Sequence, residues 1–290
     1  MSEPWVPVAH RSELAAPGSY VCLPWEIGAE VAVTNIGGIP VAFDNLCSHR
    51  GARIFPTGYG LQEPRCAYHG RLATAANVRR FDTGEFGGFI FVNAGASPGP
   101  AWDASVDRFL AEAPPLALHS SLGYTIDAHW TVCVENVLDY EHVAGVHPDT
   151  LGKLGIKPDA LHLSRDGSSL HLFRTAHRRL EGLAAFFDFR ASFDYAHAHF
   201  HPYAALSSTR GWTYSLQHYF PRADGKTAFF HRLYAAPSKL PVPDFFDSVQ
   251  RMNARIFEED AAVCARVPAG HGGPLGPHEE RIAHFRRHAG

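Results

Sequence analysis

The feature that most constrains this chain is the run CSHRGARIFPTGYGLQEPRCAYHG at residues 47–70. It presents Cys47 and His49 as C-x-H, a gap of sixteen residues, then Cys66 and His69 as C-x-x-H. Two thiolates and two imidazoles on paired loops can hold a metal centre. A single zinc would be closed by four such ligands. A [2Fe–2S] cluster would instead take both cysteines on one iron and both histidines on the other. Exchanging two thiolates for neutral imidazoles raises the potential of such a cluster into the range of roughly −150 to +300 mV. Three features favour the cluster. Each half supplies one Cys and one His, whereas common zinc modules pair like with like. Gly51, Gly58, Gly60 and Gly70, with Pro56, suit tight loops around a bulky group. The flanking sequence is strand-like, not finger-like.

A chain of 290 residues, 46% apolar and 19% charged, can bury a large core without metal. Ligand-type residues at suggestive spacing therefore point to chemistry. The nineteen histidines draw attention to metal ligation. Net charge is −3 with no basic run, which argues against a nucleic-acid partner. No apolar run is long enough to span a bilayer, and the start lacks a basic n-region and an apolar h-region. A cytoplasmic location is expected, without membrane association. The five cysteines, Cys22, Cys47, Cys66, Cys133 and Cys264, do not read as a disulfide framework.

Residues 5–95 read as short strands broken by Gly–Gly and Pro. AGASPGPAWDAS (94–105) is the expected linker, dividing the chain into domains 1–100 and 101–290. A short helix is expected at 106–114, another helix at 130–147, and a long one at 243–267. From about 160 to 235 the alternating pattern predicts a broad antiparallel sheet that includes AAFFDFRASFDY. The aromatic residues Phe186, Phe187, Phe189, Phe193 and Tyr195 are expected in that sheet's core, with part of them open to a cavity. His197, His199 and His201 are expected on one face of a strand, lining a pocket or solvated. Cys133 and Cys264 are expected to be buried and inert.

The second constellation is ENVLDYEHVAGVH, residues 135–147. On a helix, Asp139 and His142 are three apart and share a face. His147 lies five beyond His142, about 140° round a regular helix. It can reach the same metal only if the helix ends or distorts near Gly145, and Pro148 permits an ending there. Two histidines and one carboxylate on one side of iron would leave positions open for O2 and substrate.

WVPVAHRSEL, AFDNLCSHRGA, CAYHG and GFIFVN together resemble the Rieske domain of ring-hydroxylating non-haem iron oxygenases, from Trp5 to about Asn93. Ala67 and Arg71 stand where that family usually has Pro and Trp. The resemblance implies an α+β chain: an antiparallel β Rieske domain, then a helix-grip catalytic domain whose antiparallel sheet is covered by helices. It implies Cys47, His49, Cys66 and His69 as ligands of the [2Fe–2S] cluster. It implies His142 and His147 as ligands of a mononuclear Fe(II), with Asn136 close by and Asp139 as a carboxylate bridging the two centres. The third iron ligand is expected at Asp260 in RIFEEDAAVCARV, with Glu258 and Glu259 as local competitors. The family assembles as head-to-tail trimers, so a homotrimer is expected.

The expected activity is that of a terminal oxygenase. It would take electrons from a separate ferredoxin or NAD(P)H-dependent reductase, since the chain has no Gly-rich dinucleotide fingerprint. With O2 it would monooxygenate a small organic, aromatic-type substrate, by hydroxylation or oxidative demethylation. Two alternatives stay open: a cis-dihydroxylating dioxygenase, and an electron carrier whose second domain only binds a partner.

Overall fold

The structure, a computed structural model, describes residues 4–25, 30–74, 77–93, 95, 99–176, 178–239 and 243–289. Residues 94 and 96–98 of the expected linker lie outside the described residues. The chain divides into two compact units, Met1–Pro100 and Ala101–Gly290.

The first unit is a seven-stranded antiparallel sheet. Its strands are β1 (Trp5–His10), β2 (Ser19–Leu23), β3 (Val31–Ile36), β4 (Ile39–Asp44), β5 (Gly58–Leu61), β6 (Arg80–Phe86) and β7 (Phe89–Asn93), in the order β1-β7-β6-β4-β3-β2-β5. Runs such as VAVTNI and FIFVN supply the β-branched and aromatic side chains that pack on a pleated surface. β7 is buried at every position, so both of its faces are covered. Beyond β4 the chain is anchored by Asn45, which is fully buried. Its side-chain oxygen accepts from Phe55 N at 2.8 Å, and its amide donates to Phe55 O at 2.8 Å. Phe55 stacks on Tyr20 at 4.2 Å between ring centroids. This clamp fixes both ends of the loop that carries Cys47 and His49.

The second unit is built on another seven-stranded antiparallel sheet. Its strands are β8 (Ala117–Ile126), β9 (Lys157–Leu163), β10 (Ser169–Arg174), β11 (Tyr195–Phe200), β12 (Ala204–Thr209), β13 (Thr213–Pro221) and β14 (Thr227–Ala235), in the order β8-β14-β13-β12-β11-β10-β9. The helices are α1 (Ala104–Ala111), α2 (Trp130–Leu138), α3 (Val143–Val146), α4 (Arg178–Leu183), α5 (Pro243–Cys264) and α6 (Glu280–Ala289). β13 is buried from Thr213 to Phe220, as expected for a strand covered on both faces. Ile256, Phe257 and Cys264 of α5 pack with Cys133, Val134 and Leu138 of α2 and with Phe229 of β14. Deleting a ring such as Phe257 from that cluster would cost about 3–5 kcal/mol. Among the described residues, no helix is long and apolar enough to cross a membrane.

Three local expectations need correction. The helix expected over 130–147 stops at Leu138, and Asp139 turns to extended backbone at φ −78° and ψ 120°. The Asp139 carboxylate accepts the Glu141 N–H at 2.7 Å, a side-chain turn that competes with helix hydrogen bonds. Asp139 and His142 therefore do not share a regular helix face. Second, Phe186 to Phe193 are not sheet. This stretch is a short helical turn and irregular chain, with Phe187 stacked on Trp212 at 4.7 Å. An aromatic-rich run makes the same hydrophobic contacts from a loop as from a strand. Third, β11 ends at Phe200, so His201 leaves the strand that carries His197 and His199; His197 and His199 are buried and His201 is half-buried.

Candidate metal centres

The two cysteine–histidine loops are near repeats of each other. In each, the residue four after the cysteine is a glycine whose N–H bonds back to the cysteine carbonyl, at 2.8 Å for Gly51 and 2.9 Å for Gly70. In each, the cysteine N–H bonds to the carbonyl five residues on, Ala52 or Arg71. Gly51 and Gly70 sit at φ +66° and +65°, where a side chain is strained. Isolated bridges, Leu46 with Arg53 and Arg65 with Leu72, close both loops at their base.

These loops bury the thiols and expose the imidazoles. Cys47 and Cys66 are each 3% exposed, while His49 and His69 lie at the surface. The Cys66 thiol is held below its usual pKa, chiefly by the Tyr68 backbone N–H, with the His69 N–H and Cys47 assisting. Thiolate character is what a metal ligand needs. His49 Nδ1 and His69 Nδ1 approach to 3.3 Å. Two sulfurs on the inner side and two Nδ1 atoms on the outer side form a donor set that fits a [2Fe–2S] cluster with mixed ligation.

In the second unit, the break at Asp139 leaves His142 and His147 flanking the single turn of α3. His142 Nε2 and His147 Nε2 are 3.2 Å apart, and both face Asp260 Oδ1, at 3.4 and 2.9 Å. Asp260 lies in the buried stripe of α5, four residues after Ile256 and four before Cys264. Burial works to raise the Asp260 pKa, but hydrogen bonds and charge from His142 and His147 hold it at about 2. Burial works to lower the His147 pKa, and Asp260 and Glu259 raise it above its ordinary value. Two imidazole nitrogens and a carboxylate oxygen that converge in this way fit a divalent metal.

Glu259 occupies a different place. It accepts from His147 Nδ1 at 2.8 Å, the nitrogen remote from Asp260, and it is held by Thr150 Oγ1 at 3.1 Å and Arg255 Nε at 2.9 Å. That is how an outer partner fixes the tautomer of a metal-bound histidine. Glu258 is exposed. Asn136, on the facing side of α2, donates to Asp260 Oδ1 at 2.8 Å. Asp139 Oδ2 is 3.9 Å from His142 Nδ1, which is buried and has no hydrogen-bond partner among the described residues. Among the described residues no group forms around His197, His199 and His201 that could hold a metal. Cys133 and Cys264 are buried as expected, but their thiols hydrogen-bond each other, which holds the Cys133 pKa below its ordinary value.

A cavity of about 370 Å³ opens beside His142, His147 and Asp260. Its floor is the inner face of the sheet, with Tyr195, His197, Ser207, Ser215 and Gln217. Tyr195 thus meets the expectation that part of the aromatic run lines a cavity. Arg281 of α6 reaches the same cavity. Neither Arg281 nor its helix was foreseen; a polar, histidine-rich tail carries no apolar stripe long enough to announce a helix.

The fold and the two residue groups are those of the Rieske non-haem iron oxygenase class. The Rieske [2Fe-2S] domain profile matches residues 4–78, and that of the vanillate O-demethylase oxygenase C-terminal domain matches residues 126–282. The chain belongs to the Rieske oxygenase family that carries this C-terminal domain. It is 29% identical over 175 residues to the glycine betaine monooxygenase oxygenase subunit of Chromohalobacter salexigens, covering 52% of this chain and 39% of that one. It is 31% identical over 173 residues to the carnitine monooxygenase oxygenase subunit of Escherichia coli, covering 50% and 46%. The chain thus spans less than half the length of these curated relatives. The crystal structure of the quaternary ammonium Rieske monooxygenase CntA with L-carnitine superposes with TM-score 0.74 at 20% identity, over 98% of this chain and 87% of that one. Naphthalene 1,2-dioxygenase from Rhodococcus shares the fold at TM-score 0.68 and 16% identity, over 99% and 88%.

Proposed function

We propose that this chain is the terminal oxygenase of a multicomponent system and inserts one oxygen atom of O2 into a small organic substrate, by hydroxylation or oxidative demethylation. The observation that carries this reading is the convergence of His142, His147 and Asp260 on one cavity, in a chain that also holds Cys47, His49, Cys66 and His69. An electron carrier has no use for the second group. Relatives named as monooxygenase subunits for carnitine, glycine betaine and toluene-4-sulfonate support monooxygenation over dihydroxylation.

In this reading Cys47 and Cys66 bind one cluster iron, and His49 and His69 the other. His142, His147 and Asp260 bind the single iron. When bound, the cluster supplies electrons one at a time and the iron supplies activation of O2 beside the substrate. The protein's own part is positional. Glu259 fixes the His147 ring through Nδ1, and Asn136 fixes the Asp260 carboxylate. The buried part of the cavity wall, with Leu138, Val143, Phe173 and Phe257, limits water at the reacting carbon. Electrons come from a separate ferredoxin or reductase. We also place the chain in a head-to-tail homotrimer, in which Asp139 links His142 to the neighbour's His69. A structure of the quaternary ammonium monooxygenase, similar in fold at TM-score 0.72, is described with inter-subunit electron transfer.

The test is iron and sulfide analysis of anaerobically reconstituted protein, with O2 uptake measured on a panel of aromatic acids, phenolic ethers and methylammonium compounds. Expected are two irons with sulfide for the cluster, one further iron, and uptake that depends on substrate. Cluster iron alone, with no uptake, would favour the carrier. Tightly bound zinc in a colourless protein would overturn the cluster.

A further inference from the structure

The cavity beside His142, His147 and Asp260 is lined by a buried arginine of which the oxidative chemistry makes no use. Arg281, in the first turn of α6, is 4% exposed and lines the cavity. Its Nε donates to Ser169 Oγ at 3.1 Å. Its Nη2 is 3.1 Å from His197 Nδ1 and 3.2 Å from the His197 carbonyl. Among the described residues, Nη1 has no hydrogen-bond partner and no carboxylate pairs with the guanidinium.

The neighbours do not supply the missing negative charge. Burial, and then the charge of Arg281, keep the flanking His171 and His197 neutral, with His171 pushed down to about 3. The other acids on the cavity wall are already engaged. Asp260 faces His142 and His147, Asp149 pairs with Lys153 at 3.2 Å, and Asp139 accepts the Glu141 N–H. Burial lowers the Arg281 pKa only to about 9, so it is charged at neutral pH. A buried cation without an anion is costly to maintain. Next to it the sheet offers further polar groups, since His197, Ser207 and Ser215 lie side by side in register on β11, β12 and β13. A site with an uncompensated guanidinium, neutral hydrogen-bonding walls and an open cavity is complementary to an acid.

We propose that Arg281 determines specificity in this cavity. Its free Nη1 edge receives the carboxylate or sulfonate of an acidic substrate, whose oxidisable carbon then points toward His142, His147 and Asp260. This rests on the cavity being the substrate site of an oxygenase. Charge-assisted bonds from a guanidinium are stronger than neutral ones and have directional geometry. An amide or amine of the same shape leaves Arg281 unpaired and is rejected.

The experiment is calorimetric titration of the reconstituted holoenzyme with benzoate, benzenesulfonate, benzamide and benzylammonium, which are close in size and differ in charge. Benzoate and benzenesulfonate are expected to bind at least about tenfold more tightly than benzamide, with benzylammonium weakest. Arg281→Met should remove that preference, and Arg281→Lys should keep part of it. A merely structural role, clamping α6 to the sheet, would lower stability and leave the ranking unchanged. Benzamide or benzylammonium binding as tightly as benzoate would overturn the proposal. So would the absence of saturable benzoate binding, or full benzoate affinity in Arg281→Met. If Arg281→Met does not fold, the ranking on wild type and on Arg281→Lys decides. Iron counted on the same sample separates the two readings. An Arg281-dependent preference without the third iron would sink the oxygenase reading and leave the anion site standing. The third iron without the preference does the reverse.

Discussion

Asn136 donates its side-chain N–H to Asp260 Oδ1 at 2.8 Å, the same oxygen that faces His142 and His147. The carboxylate is thus aimed from across the helix pair. Removing that donor should loosen the site without dismantling it. Asn136→Ala is expected to weaken binding of the mononuclear iron by roughly tenfold to a hundredfold, the usual effect of losing an outer hydrogen bond. The cluster spectrum should be unchanged. Iron retained after graded chelation measures this, and wild-type retention would remove Asn136 from the site.

The choice between neighbouring acids on α5 is equally testable. Asp260→Ala and His142→Ala are expected to lose the mononuclear iron and all turnover while keeping the cluster spectrum. Glu259→Gln should keep the iron with reduced affinity, because of the three residues assigned to the iron it touches His147 alone, at Nδ1. Loss of iron in Glu259→Ala with full occupancy in Asp260→Ala would reverse the assignment.

Much of this was legible because metal ligands must occur as particular residue types at particular spacings. Cys47, His49, Cys66 and His69 stand out in any strand-rich context, and Asp260 falls at the helical spacing of a buried apolar stripe. The break at Asp139 was not legible. It depends on one side chain capturing the Glu141 N–H, a local competition that no glycine or proline announces. Its consequence is that a new turn, α3, begins at His142; the five-residue spacing is resolved at the other end of that turn, where His147 leaves helical backbone at φ −118° and ψ 41°, the ending expected near Gly145. Arg281 was missed for another reason. Its role depends on α6 folding back over β10 and β11, and no periodic pattern encodes such a long-range contact.

Buried imidazoles make the larger unit acid-sensitive. Burial first, and neighbouring positive charge second, hold His171 and His231 at about 3 and His201 at about 4, with His197 and His199 well below 6.5. In the unfolded chain these groups titrate near 6.5. Between about pH 6.5 and about 4 the unfolded chain therefore binds more protons, and folded-state stability falls as pH falls. Each such histidine contributes up to about 1.4 kcal/mol per pH unit in that window. Scanning calorimetry of metal-depleted protein should show the transition of the larger unit moving steeply downward from pH 7 to 5. A flat profile would mean these histidines are protonated in the fold.

The remaining prediction concerns Asp139, and it rests on the proposed trimer. Asp139 Oδ1 is held by the Glu141 N–H, while Oδ2 lies 3.9 Å from the unpartnered Nδ1 of His142. In the first unit, His49 and His69 are exposed and approach each other through Nδ1, so their Nε2 edges remain available to a neighbouring chain. A carboxylate between two metal-bound imidazoles can accept a hydrogen bond from each, fixing both rings and connecting the two centres. Head-to-tail contacts of this kind close into a ring. Asp139→Asn keeps the shape and the Glu141 contact but removes the charge and one acceptor. It should retain both metals and the trimer and let the cluster be reduced, yet block electron delivery to the iron. An ordinary acid at the end of α2 would affect none of these steps. Single-turnover reoxidation of the reduced cluster, with substrate and O2 present, separates the two. Reoxidation of Asp139→Asn at the wild-type rate with product formed would end the bridging role, and so would an active wild-type enzyme that is monomeric at assay concentration.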